Sequence, residues 1–356
     1  MKALLASTAT GGANLFALDV AFWQQTTLKS VIALVALVTG AGIVVFVFLF
    51  KFVSFMHSRL GPMEAGPHGS LQLAIEAVRF MQKEDIAPDG ADKRLFRWAP
   101  MVVLVSTFLI FVVIPAGPNA VIESLPVGIF FVLAISSISV IGVLIAGWSS
   151  NNKYALLGGL RAAGQLIAYE LPMVLAVVGV VIQAGTLNMQ GIVGAQSGGE
   201  MFGFGGLGNP FILTQFVGLL IFLIAIQAEL GQTPFDMPVA ESEIVGGYLV
   251  EYTGIRFLVF FLSEFAAAVG FSAIAATLFL GGWQLPQAWG IPRTAMHFIG
   301  PLVIFGKAIA LTGVIFWVRF SMPRLREDQL QRFAWTFLIP ASLANIAITA
   351  ILKVAV

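Results

Sequence analysis

The chain has no cysteine in its 356 residues. That absence removes thiolate-ligated iron–sulfur clusters and thiolate zinc sites from the chain itself. Histidine is almost as scarce: His57, His68 and His297 are the only three, and their scatter argues against an imidazole-held metal or haem. Any redox chemistry must borrow its centres from partner subunits. Charge is sparse too. Asp, Glu, Lys and Arg supply 10% of residues, hydrophobic types 58%, and with a net charge of +1 no nucleic-acid partner is expected. No cleavable signal peptide is expected either, because Asp19, Gln24 and Gln25 interrupt the mild apolar run of the first 27 residues. The longest polar stretch runs to roughly 40 residues, too short for the core of a soluble domain.

What fills the chain is apolar sequence. The mean hydropathy is +0.94, and several runs reach about 20 residues, the length that crosses a bilayer. The composition therefore predicts an all-α integral membrane protein, a single polytopic unit over 1–356. Eight spans are expected, near 28–52, 99–115, 127–148, 165–185, 211–228, 255–280, 300–320 and 333–353. Basic residues fix the expected orientation. Arg59, Arg79, Lys83, Lys93, Arg94 and Arg97 follow the first span, Lys153 and Arg161 the third, and Arg324, Arg326 and Arg332 the seventh. These segments are expected in the cytoplasm, with both termini outside. Residues 69–85 place Leu71, Ile75, Val78 and Met81 near helical spacing, with Glu76, Arg79 and Lys83 away from them. That pattern predicts an amphipathic helix lying on the membrane surface or packed on a partner protein.

One segment breaks the basic pattern. The stretch 229-ELGQTPFDMPVAESEIVGGYLVEYTG-254 holds Glu229, Asp236, Glu241, Glu243 and Glu251, and no Lys, Arg or His. Pro234 and Pro238 forbid a continuous helix there, and a helix is expected to restart after Asp236 with Glu241 and Tyr248 on one face. A solvated acidic loop is the simpler reading. Ile244, Val245, Tyr248, Leu249 and Val250 between the acids favour a proton-accessible cavity instead. So do three flanking acids, Glu170, Glu229 and Glu264, at the edges of or inside apolar spans, where carboxylates are costly and often carry protons. A second polar patch, 147-GWSSNNKYALLGGLRAAGQLIAYE-170, carries Arg161, Gln165 and Glu170 into the fourth span, with Tyr154–Gly159 expected as a re-entrant or interfacial piece.

These two stretches, with 59-RLGP, 66-GPHGSLQ-72, 83-KEDIAPDGADKRLF-96 and 316-FWVRFSMPRLREDQLQRFAW-335, resemble the H subunit of bacterial respiratory complex I, the proton-translocating NADH:quinone oxidoreductase. The likeness runs from about residue 40 to the C-terminus. It implies eight membrane helices in the bacterial inner membrane and a place at the foot of the hydrophilic arm. The chain would help form the quinone chamber and couple quinone reduction to proton translocation. No cofactor is implied in this chain. Iron–sulfur clusters, flavin and NADH would sit in hydrophilic-arm partners, and antiporter-like subunits would adjoin it in the membrane. By motif match, Arg59, Phe235, Asp236, Glu241, Glu243 and Glu251 would line or support the quinone cavity and its loop. Glu170, Glu229 and Glu264 would begin the proton route. Several positions depart from the pattern. A usual Glu-Arg pair is Leu49-Phe50 here, a usual Asn-Arg is Met63-Glu64, a usual Arg is Gln232, and a usual Glu is Val239. Related subunits serve membrane-bound hydrogenases, formate hydrogenlyases and F420-linked enzymes. The alternative from another class is a proton-coupled secondary transporter, but no internal repeat divides the spans into matched halves.

Overall fold

The structure, a computed structural model, describes residues 22–118, 120–197, 209–285 and 293–355. Every regular element among them is helical. Helix α1 (Phe22–Val44) runs on through a π-helical stretch to Met56. Helix α2 is Gln72–Gln82, α3 Lys93–Val113, α4 Gly128–Ser149, α5 Lys153–Ala184, α6 Met189–Ser197 and α7 Phe216–Glu229. Helix α8 is Gly254–Phe279 and α9 is Arg293–Ser321, while α10 begins at Glu327 and reaches Ala355 through a π-helical turn at Ala334–Leu338. Seven of these helices are long and apolar enough to cross a membrane. The remaining expected span, α7, has 14 residues. The chain preceding it makes turns, and the Gln215 side chain there donates to Thr349 and accepts from Asn345 of α10, at 2.6 and 2.9 Å. The chain is an all-α integral membrane protein.

Helix α5 lies inside the bundle, against α4, α7 and α10, and α8 packs against α1, α3 and α9. The start of α5 corrects one expectation. Tyr154–Gly159 is not a re-entrant piece but the opening of a continuous 32-residue helix. Asn152 caps it by accepting from the Tyr154 amide at 2.9 Å, which starts the helix ahead of its apolar part.

The segments with most of the basic residues meet at one end of the bundle. The Asp92 amide donates to the Ser149 carbonyl and the Leu325 amide to the Pro234 carbonyl, at 3.1 and 3.0 Å. Helix α2 lies at this end, with Phe80 stacked on Phe257 of α8 at 5.6 Å. Its expected apolar stripe, Leu71, Ile75, Val78 and Met81, is exposed, so the bundle uses a different face of the helix. The end of α2 is clamped to the start of α8: Arg256 pairs with Asp85 at 2.9 Å, and Thr253 donates to the Glu84 carbonyl at 3.1 Å.

Candidate functional site

The site grows from a backbone that stops being helical inside the bundle. After α7 the chain turns through two prolines, and its carbonyls lose their helical donors. Buried amide side chains replace them. Gln165, fully buried in α5, donates to the carbonyls of Ala228 and Phe235 at 2.6 and 2.7 Å. Gln227 donates to the Thr233 carbonyl at 2.8 Å. Irregular backbone persists at such depth only when its polar groups are satisfied in this way. Phe235 is buried with its ring 5.1 Å from Tyr169, so it anchors the loop.

The expected helix beyond Asp236 is only one turn, Glu241–Ile244. Val245 at φ 66 breaks it, and a 3₁₀ turn follows at Gly247–Leu249. The cause is close packing. A Cβ on Gly247, itself at φ 56, would lie 1.7 Å from the Pro238 carbonyl oxygen, and one on Gly158 of α5 would lie 2.5 Å from the Gly247 Cα. The loop therefore folds back on itself and presses against α5.

Between this loop and the ends of α5, α7, α8 and α9 lies a cavity of 740 Å³. Asp236, Glu241, Glu229 and Glu264 line it, with Tyr248, Tyr252, Arg319 and Arg324. A second cavity of 90 Å³ shares Glu229, Glu264 and Tyr248 with the first and adds the hydroxyls of Ser106, Thr107, Ser136, Ser139 and Ser263. Glu229 reaches both with its Oε2 buried and lacking a hydrogen-bond partner. Glu170, in α5, accepts from Ser137 of α4. Glu251 accepts from Asn152 at 2.6 Å, which ties the loop to the cap of α5.

The expectation that the acidic segment lacks cations needs correction. Arg161 and Arg324 grip Glu243 at 2.6 and 3.2 Å. Arg319 lies 3.9 Å from Glu264. These cations sit in α5, in α9 and just past it, far away in sequence, so the local stretch could not reveal them. They divide the acids. The hydrogen bond from Arg161, aided by Arg324, holds the Glu243 carboxyl below the usual carboxylate range. Burial pushes Asp236 above that range; Arg319 and Arg324 oppose the rise, and Glu241 adds to it. Burial also raises the Tyr248 phenol, with Glu264 and Asp236 adding to the effect, and brings Tyr252 to about 12.

Four of the nine residues named from sequence thus line the large cavity, and Phe235, Glu243 and Glu251 fasten its loop. Glu170 lines neither of the two cavities and accepts from Ser137. Arg59 is exposed, its guanidinium 3.2 Å from His57, and does not join the others. Sequence reading missed Gln227 and gave Arg324 only a topological meaning. It noted Gln165 as an oddity in an apolar span, and that oddity was the available signal.

Known proteins are similar to this chain over most of its length. The sequence profile described as NADH dehydrogenase matches residues 28–350. The chain belongs to the NADH dehydrogenase family. Among relatives, the NADH-quinone oxidoreductase H subunit of Brevibacillus brevis is 43% identical over 332 residues, covering 92% of this chain and 94% of that protein. The H subunit of the same enzyme from Dehalococcoides mccartyi is 44% identical over 301 residues, covering 84% and 79%. That of Anaeromyxobacter dehalogenans is 41% identical over 351 residues, covering 90% and 83%. The region matched to the NADH dehydrogenase family contains every residue of the site, from α1 to the start of α10.

Proposed function

We propose that the chain is the quinone-site membrane component of a proton-translocating NADH:quinone oxidoreductase in a bacterial inner membrane. The observation that carries the reading is the 740 Å³ cavity walled by Asp236 and Glu241 of a loop stapled into the bundle, with Glu229 from α7 and Glu264 from α8. Family membership, and relatives named as H subunits of NADH-quinone oxidoreductase, support the quinone and the complex. In this reading NADH, flavin and iron–sulfur clusters belong to the hydrophilic-arm partners, and antiporter-like subunits adjoin the chain in the membrane. Quinone reduction takes up two electrons and two protons. Asp236 and Glu241 lie where that uptake would disturb their charge, and Glu229, Glu264 and Glu170 carry the disturbance inward. Glu243 serves the loop as its ionic anchor. The basic end of the bundle faces the cytoplasm, with both termini outside, and α2 rests its exposed stripe on lipid or on a partner.

A photoreactive quinone applied to the assembled complex tests the assignment. Labelled peptides from 230–264 are expected. Labelling confined to other subunits would remove this chain from the chamber. Purification in mild detergent separates the transporter alternative: co-isolation with iron–sulfur and nucleotide-binding subunits is expected, whereas a self-sufficient carrier would overturn the reading.

A further inference from the structure

Gln232 occupies a position where the family resemblance expects arginine. It is 2% exposed and stands between a cation and an acid. Its Oε1 accepts from Nη1 of Arg319, and its Nε2 donates to Oε1 of Glu264. The guanidinium and the carboxyl form a long ion pair without a direct hydrogen bond, because Nη1 stops 3.9 Å from Glu264 Oε1. Arg319 is otherwise held by ring faces, with Phe316 and Phe320 5.8 and 5.4 Å from its guanidinium carbon. A carboxamide carries acceptor and donor on separate atoms, so while neutral it can accept from a cation on one side and donate to a carboxylate on the other.

We infer that Gln232 is a positioning residue: it holds Arg319 off Glu264 and so keeps the carboxyl able to exchange its proton during turnover. The inference rests on the cavity reading proposed above. A direct, desolvated arginine–carboxylate pair would favour the ionised acid strongly. The interposed amide keeps the cation near enough to attract but too far to lock. The other titratable and charged groups that share the cavity with this carboxyl are Asp236, Glu241, Tyr248 and Tyr252 from the loop, Glu229 from α7 and Arg324 beyond α9. From α3 and from α8 itself the smaller cavity brings hydroxyls, Ser106, Thr107 and Ser263. Arg319 is the cation that the amide meets directly.

The test uses the assembled complex in native membranes, with quinone reductase turnover measured between about pH 5 and 9. The readout is the pH at which turnover has fallen by half on the alkaline side. Gln232→Met keeps the side chain's length and removes the hydrogen bonds to Arg319 and Glu264, together with a longer one that Nε2 donates to the Leu230 carbonyl at 3.3 Å, so Arg319 closes on Glu264. The alkaline fall should move to lower pH by about one unit, a tenfold change in proton affinity. Gln232→Glu keeps the acceptor for Arg319 but sets a negative charge beside Glu264, and the fall should move to higher pH. A purely structural role predicts loss of assembled complex, or lower turnover without opposite shifts. Should the Met variant fail to assemble, the Glu variant decides alone: an alkaline shift supports the assignment and an unmoved profile overturns it. Profiles that coincide with the parent, or move the same way in both variants, also overturn it. Glu241→Gln is assayed alongside. If it lowers turnover while both Gln232 profiles stay still, only the role of Gln232 falls. If Glu241→Gln turns over like the parent, the cavity reading falls and takes this one with it.

Discussion

Asp236 and Glu243 sit seven residues apart in the sequence and have opposite electrostatic surroundings. Glu243, about half exposed, is bound by two guanidinium groups; Asp236 faces a cavity where burial outweighs two more distant cations. The stretch of sequence showed five acids and no way to tell them apart, since the discriminating arginines arrive from α5 and from α9 and beyond. For Asp236 the raised value means that the folded state keeps a proton which the unfolded chain releases near 3.8. Stability should therefore fall as pH rises from that ordinary value to the raised folded value, and level off above it. Asp236→Asn should lack this loss, which thermal unfolding of the purified complex across that range can check. Parallel stability curves for parent and variant would contradict the assignment. Glu243 has the reverse sign: its depressed value supports the fold above the ordinary glutamate value and is lost as pH drops through the folded one. Glu243→Gln should weaken the loop's attachment and lower turnover. Limited proteolysis within 238–250 gives the readout, and unchanged cutting would show that the ion pairs do not anchor it.

At the scale of elements, the helices were legible because a run of about 20 apolar residues has few alternatives in a membrane. The interruption after α7 was legible too, since Pro234 and Pro238 announce it. The conformation that follows was not. A restarted helix satisfies local rules, but Gly247 against Pro238 and Gly158 against Gly247 leave room only for one α turn and one 3₁₀ turn. Tertiary packing overrode local preference, and of the amides that make it tolerable Gln165 lies on a helix distant in sequence. Gln165→Leu should strip a donor from two buried carbonyls; Ala228 keeps the Gly231 amide at 3.1 Å, so the cost falls on the Phe235 carbonyl, about 1–3 kcal/mol for a group left unsatisfied. Hydrogen exchange of 228–240 should accelerate while the exchange of α3 stays as in the parent. Equal protection in variant and parent would mean that the loop is held by something other than that amide.

At the scale of the whole molecule, the bundle gathers most of its basic residues at the end that carries the acidic cavity. The absence of cysteine makes orientation directly testable, because any single introduced thiol is unique in this chain. Asp89 lies exposed at the basic end, and Ser124 lies exposed beside Glu123 at the opposite end. An impermeant maleimide should label Ser124→Cys in intact cells, and Asp89→Cys only in inverted vesicles. The reverse pattern would invert the topology and detach the cavity from the cytoplasmic arm. Membership of the family was legible in long motifs, whereas Gln232 registered there only as a missing charge; its place between Arg319 and Glu264 needed three elements brought together.

The central claim is that these carboxylates exchange protons with an internal cavity during quinone turnover. The most direct measurement is the number of protons pumped per quinone reduced by the complex in sealed vesicles, with Asp236→Asn and Glu241→Gln compared to the parent. The account predicts that both variants assemble, turn over more slowly and move fewer protons per quinone. Parent-like turnover and stoichiometry in both would contradict it.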